Sequence, residues 1–140
     1  MHSYALSARE RGIQVIIACA GGAAHSPGIV ATSTFPLPVI GVPLRASTLD
    51  GVDSVLSILQ FRHHSSIVGY QTFICQDGSL VATVAINNAA NAGLLEVQML
   101  AVYDADLFAR ISQYQEDTKS EILAEDEKLQ KVGCESYLNP

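Results

Sequence analysis

Residues 13–28 read Ile13-Gln-Val-Ile-Ile-Ala-Cys-Ala-Gly-Gly-Ala-Ala-His-Ser-Pro-Gly28, and the architecture turns on them. Val15, Ile16 and Ile17 follow one another without a polar interruption, as expected of a parallel strand buried on both faces. The small-residue loop Ala18–Ala24 comes next, then His25-Ser26-Pro27-Gly28. The apolar run 13–24 is roughly half the length that crosses a bilayer and carries two glycines, so it is not a transmembrane helix.

Upstream, Tyr4 to Arg11 reads as the last turns of an amphipathic helix ended by Gly12 as a C-terminal cap. Downstream, Pro38 to Pro43 is a second short buried strand, closed at both ends by proline. Ser47-Thr48-Leu49-Asp50 leads into a helix through Gln60, with Val52, Val55, Leu56 and Leu59 spaced along one face. Leu80 to Ile86 is a third buried strand. Asn87 or Asn88 caps the next helix, whose Ala89–Ala101 stretch suits close packing on a sheet. A final helix starts after Asp104, with Leu107, Ile111, Tyr114, Thr118 and Ile122 on one face and acidic groups around the rest. Strand and helix alternate with short links, the pattern of a parallel α/β sheet. Only three strands are visible, and the first helix has no strand before it.

Composition narrows the function classes. The 140 residues allow one domain and one core. An apolar share of 49%, with mean hydropathy +0.25, excludes a disordered chain. A formal charge of -6 disfavours nucleic acid and anionic membranes as partners. Most of that charge lies beyond residue 100, so the first hundred residues are expected to be mostly interior and 104–140 a solvated acidic helix and tail. No secretory signal or transit peptide is visible at the N-terminus. Cys19, Cys75 and Cys134 are odd in number and widely spaced, which supports neither a disulfide framework nor a thiolate zinc site. A reduced, intracellular compartment is the default.

The loop Ala18-Cys-Ala-Gly-Gly-Ala-Ala-His-Ser-Pro-Gly28 resembles the active-site loop of the class I PurE family, the aminoimidazole ribonucleotide carboxylases and mutases of purine (IMP) biosynthesis. The resemblance continues in order through Pro38-Val-Ile-Gly-Val-Pro43, Leu49-Asp-Gly-Val-Asp-Ser54, Ser57-Ile-Leu-Gln60, Val81-Ala-Thr-Val-Ala-Ile-Asn-Asn88 and Asn91-Ala-Gly-Leu-Leu95. It covers about 120 of the 140 residues. Gln113-Tyr-Gln-Glu-Asp-Thr118 and Glu135-Ser-Tyr-Leu-Asn-Pro140 look like the plant form, where this domain ends a longer chain with an ATP-grasp domain.

The resemblance implies a flavodoxin-like three-layer αβα sandwich with a parallel sheet of order 2-1-3-4-5. Family members begin with a Gly-Ser-x-Ser-Asp loop and a Ser-Ala-His-Arg-Thr-Pro loop, neither of which is in this sequence. The expectation is therefore a domain lacking its first two strands, with the strand at 13–18 an uncovered edge, an aggregation template. The family's phosphate and ribose contacts and its principal histidine have no counterpart here. Three further departures are Cys19 for glycine, Ser26 for leucine, and the segment 61–80 in place of a short connector.

Moving a carboxyl group through transient CO2 needs a dry pocket and a proton donor and acceptor near the ring. Small side chains let backbone N–H groups approach such a substrate closely. By resemblance, Ala20, Gly21, Gly22, Ala23 and Ala24 line the carboxyl pocket, and His25 assists by hydrogen bond. Taken alone, the loop is an ordinary packing turn and His25 a structural histidine. It is neither a dinucleotide fingerprint nor a Walker loop. Asp50 and Asp53 read as a cap and a first-turn charge rather than an acid pair. Cys19 with His25 lacks the third group a thiol nucleophile needs.

The 61–80 segment has two readings: an edge strand at Gln71–Cys75 turning into the third strand, or, favoured, a foreign insert lying as a loop. His63, His64 and Cys75 are a poor metal set. No metal and no cofactor are expected, the carboxyl group (CO2 or carbamate) being itself substrate. Expected partners are an aminoimidazole ribonucleotide, further copies in a homo-oligomer, and the ATP-grasp domain of longer plant forms, for which a plastid location is possible. Two functions compete: a carboxylase or mutase, and a non-catalytic chain that at most joins an oligomer of intact subunits.

Overall fold

A computed structural model of the chain describes residues 1–46, 49–60 and 80–132. The elements are α1 (His2–Leu6), β1 (Ile16–Gly21), α2 (Ser26–Thr34), β2 (Val39–Leu44), a 3-10 turn (Leu49–Gly51), α3 (Val52–Leu59), β3 (Val81–Thr83), α4 (Ala89–Ala101) and α5 (Ala105–Val132). Two compact units divide the chain, Met1–Glu96 and Val97–Pro140. The sheet lies in the first unit.

Among the described residues the sheet has three parallel strands in the order β1-β2-β3. Ile16, Val39 and Val81 share one register level, and Ala18, Gly41 and Thr83 share another. Val30 and Ala31 of α2 pack on Ile16, Ala18, Val39 and Val81, which places α2 over that face. Ile58 of α3 lies over Gly41 on the same face: a Cβ added there would meet Ile58 Cγ2 at 3.1 Å and Val81 Cγ1 at 2.9 Å. Right-handed crossovers that step along a sheet in one direction put both helices on one side, as here. The core is centred on β2, whose Ile40 and Val42 are fully buried. The chain has the parallel α/β architecture of a flavodoxin-like fold.

Several local expectations shift. The helix read over Tyr4–Arg11 is α-helical only to Leu6, yet Gly12 does close the segment. Gly12, at φ 75°, donates to the Arg9 carbonyl and Ile13 donates to that of Ala8, the bond pair of a Schellman motif. Strand β1 runs three residues past Ala18, through Cys19, Ala20 and Gly21, which were expected in the loop. Poor strand formers are held there by pairing with β2, from Ile16↔Val39 to Gly21↔Leu44. Pro43 sits inside β2 rather than ending it. Strand β3 is only Val81–Thr83, although the Val84 N–H still reaches the Gly41 carbonyl at 3.1 Å.

Helix α2 went unread in the sequence. Its Ile-Val-Ala-Thr-Ser-Thr run is β-branched and has no amphipathic stripe. Pro27 at its start favours the helix, and Thr32, Ser33 and Thr34 each turn a hydroxyl back on the carbonyl four residues earlier.

Helix α3 buries a different face from the expected one. Ser54 and Ile58 are buried, whereas Val52, Leu56 and Leu59 are exposed and Val55 is half-buried. The expectation that the first hundred residues are mostly interior fails at these positions, and also at Tyr4, Leu6, Phe35 and Leu49. Among the described residues β1 pairs with β2 alone, leaving Ile17 37% exposed and Cys19 exposed on the face away from α2. Residues 61–79 and 133–140, with His63, His64, Cys75 and Cys134, lie outside the described residues.

Asn88 is the cap of α4, accepting the Asn91 N–H at 3.0 Å. Asp104 caps α5 in the same way, accepting from Leu107 at 3.0 Å. Helix α5 is solvated almost throughout, with Leu107, Ile111 and Thr118 half-buried, while Tyr114 and Ile122 of the expected stripe are exposed. Exposed pairs such as Lys119–Glu116 and Lys131–Glu127 give it local support of a few tenths of a kcal/mol each, about the usual figure for such pairs.

Candidate active site

Open parallel sheets bind ligands outside the carboxyl ends of their strands. At that edge here, three segments converge: the loop leaving β1, the chain leaving β2, and the turn after β3.

Within the β1 loop the Ala24 N–H donates to the Gly22 carbonyl and the His25 N–H to that of Ala23, both at 2.8 Å. Gly22, at φ 63°, donates its own N–H to Ser54 Oγ at 2.8 Å. Ser54 Oγ in turn donates to the Leu44 carbonyl at 2.7 Å. One hydroxyl therefore joins the β1 loop, the end of β2 and the first turn of α3. Close contact continues at Gly21, where an added Cβ would lie 3.4 Å from the Leu44 carbonyl oxygen and 3.6 Å from Ala46 Cβ.

The chain after β2 is tied on its other side to the turn after β3. Asn87, at φ 57°, accepts the Arg45 N–H on its Oδ1 at 2.9 Å, and its own N–H donates to the Pro43 carbonyl at 2.9 Å. Leu49, Asp50 and Gly51 then take three successive left-handed conformations, at φ 52°, 52° and 92°. Only glycine fits the last position, since a Cβ would meet Ile86 Cγ2 at 2.8 Å. The Arg45 guanidinium lies 3.5 Å from the Asp50 carboxylate, both well exposed. Among the described residues, the buried Oδ1 of Asp53 and the buried Oγ1 of Thr83 have no hydrogen-bond partner.

Of the residues singled out from sequence, Ala20 and Gly21 end β1, and Gly22, Ala23 and Ala24 form the loop. His25 is the N-cap residue of α2, with no side-chain cap bond and an exposed side chain. The loop brings all six together. Gly21 and Ala23 face solvent, Ala20 and Gly22 are half-buried, and Ala24 turns into the core. Of the loop N–H groups expected to approach a ligand, those of Gly22 and Ala24 are bonded inside the protein instead, as is the N–H of His25. The loop thus offers a stiff surface of methyl groups and backbone beside an exposed imidazole. Cys19 lies on the opposite face of β1 from Ala18 and Ala20, away from the α2 side. Asp50 pairs with Arg45 rather than capping α3, whose N-cap is Gly51, and Asp53 is the first-turn charge expected.

Sequence reasoning missed Ser54, Asn87 and Arg45. Ser54 follows Asp53 and shares its helix with a second hydroxyl, Ser57, so nothing in residue order marked it out.

Residues 1–121 match the family model described as AIR carboxylase. Across 99% of the chain the identity is 46% to the N5-carboxyaminoimidazole ribonucleotide mutase of Thermotoga maritima, 72% of which is covered. The chain belongs to the AIR carboxylase family. It is similar also to the chloroplastic phosphoribosylaminoimidazole carboxylase of Vigna aconitifolia, 59% identical over 138 residues, and to the phosphoribosylaminoimidazole carboxylase of Saccharomyces cerevisiae, 49% identical over 138 residues. In both cases 99% of this chain aligns, and it spans 22% of the relative's length. This member of the AIR carboxylase family carries its Gly-Ala loop at the carboxyl edge of its sheet. No helix among the described residues is long and apolar enough to cross a membrane.

Proposed function

We propose that the protein acts as a phosphoribosylaminoimidazole carboxylase or N5-carboxyaminoimidazole ribonucleotide mutase, forming 4-carboxyaminoimidazole ribonucleotide. The observation that carries this reading is the position of the Ala20–His25 loop, at the carboxyl edge of the parallel sheet and bonded to Ser54.

In the mutase reaction the carbamate N–C bond breaks, releasing CO2 and leaving its electron pair on the exocyclic nitrogen, which takes up a proton. Ring carbon 4 then attacks CO2, and the proton on that carbon leaves to restore the aromatic ring. In the carboxylase reaction free CO2 enters directly. The methyl groups and backbone of Ala20–Ala24 keep water from the CO2 and orient it toward the ring. His25 hydrogen-bonds the carboxyl group as it moves, an auxiliary role. No metal or cofactor enters these steps.

The ligand on this reading is an aminoimidazole ribonucleotide, and the protein works as a homo-oligomer. Longer plant-type forms add an ATP-grasp domain and act in the plastid. The test is incubation of the purified protein with the N5-carboxylated nucleotide while formation of the 4-carboxylated product is followed. Product above the uncatalysed rate is expected; a rate equal to background overturns the proposal in favour of a non-catalytic chain.

A further inference from the structure

We infer that Ser54 is a positioning residue, whose hydroxyl holds the Gly21–His25 loop in its ligand-receiving shape. The inference rests on the reading that this loop receives the substrate's carboxyl group.

Ser54 is fully buried, and its hydroxyl both accepts and donates. The direction is forced: the Gly22 N–H can only donate and the Leu44 carbonyl can only accept, so the hydroxyl proton points at Leu44. A buried polar group is unfavourable unless it is bonded, and alanine would suit the helix better, so the hydroxyl's contribution is these two bonds. Packing does not do the same work at Gly22. A Cβ added there would meet nothing within 4 Å among the described residues, so the turn at Gly22 itself is not wedged by a neighbouring side chain. The hydrogen bond at 2.8 Å is the tether that fixes its left-handed turn. Ile58, one turn further along α3, seats the helix on Gly41 and thereby sets the height at which Ser54 meets the loop.

The experiment compares the unsubstituted protein with Ser54→Ala and Ser54→Thr, the second retaining the hydroxyl. Backbone amide exchange is read at Gly22, Ile40 and Val42, and kcat and KM are measured with the N5-carboxylated nucleotide. In Ser54→Ala, Gly22 is expected to exchange about tenfold faster or more while Ile40 and Val42 keep their rates. Its kcat is expected to fall about 10- to 100-fold, more than KM changes, because a misplaced loop orients the reacting group poorly. Ser54→Thr is expected to recover most of the loss. Turnover of Ser54→Ala within twofold of the unsubstituted protein overturns the positioning role alone. So does equal acceleration at all three amides, which would make Ser54 a support of the whole fold. No turnover by the unsubstituted protein overturns the activity itself and the positioning role with it.

Discussion

Asn87 holds the backbone of Arg45, 42 residues earlier in the chain, through a 2.9 Å bond from the Arg45 N–H to its side-chain Oδ1. It does so from a left-handed conformation, φ 57°, that asparagine tolerates better than most residues. Both properties are separable by substitution. Asn87→Ala loses the bond and strains the backbone, an expected loss of about 2 kcal/mol. Asn87→Gly keeps the conformation and loses only the bond, about 1 kcal/mol. Urea unfolding of the three proteins should rank them in that order; equal stabilities would contradict the geometry.

Three glycines near the sheet separate backbone conformation from crowding. Gly51→Ala combines φ 92° with a 2.8 Å approach to Ile86 Cγ2, and is expected to be the most damaging, at about 3 kcal/mol. Gly41→Ala crowds Val81 and Ile58 without a positive φ, an overpacking cost of about 1–3 kcal/mol. Gly22→Ala meets open space, so only its left-handed φ counts, about 1 kcal/mol. Thermal or denaturant midpoints check the ranking.

Asp104 should matter to α5 alone. Replacing it with alanine removes the Oδ1 acceptor of the Leu107 N–H, and an N-cap of this kind contributes about 1 kcal/mol. The expected outcome is lower helicity by circular dichroism, with amide protection in β2 unchanged. Asp104→Asn or Asp104→Ser should restore it.

His25→Ala tests the proposed chemistry without a large effect on the fold. The residue is exposed, and substitutions at exposed positions usually move stability by about 0.5 kcal/mol or less. Turnover of the carboxylated nucleotide should nonetheless fall about tenfold, the order of one hydrogen bond to a developing charge. Full activity in the variant would remove His25 from the site.

Some of this was legible in residue order. The unbroken Pro38–Pro43 run announces a strand with both faces buried, which has no polar positions to fill; Val15-Ile16-Ile17 announces a strand too, but Ile17 and Cys19 leave one of its faces exposed. Asp104, Asn88 and Gly12 announce helix ends because capping is a contact between near neighbours. The Ala18–Gly28 loop carried the family resemblance in its own residues, and the match over 1–121 agrees with it.

What stayed hidden depends on residues far apart in sequence. Helix α2 forms from β-branched residues because a parallel crossover between β1 and β2 has to cover Ile16 and Val39. The stripe at Val52, Leu56 and Leu59 predicted the wrong buried face, since Ile58 on Gly41 and Ser54 on Gly22 decide the rotation of α3. By itself, then, the sequence determined the strand–helix alternation, the caps and the family. The tertiary structure decided which face of each helix is buried and how the β1 loop is anchored. Periodicity and capping are interactions within a few residues, whereas Gly22–Ser54 and Arg45–Asn87 exist only once the strands have aligned their carboxyl ends.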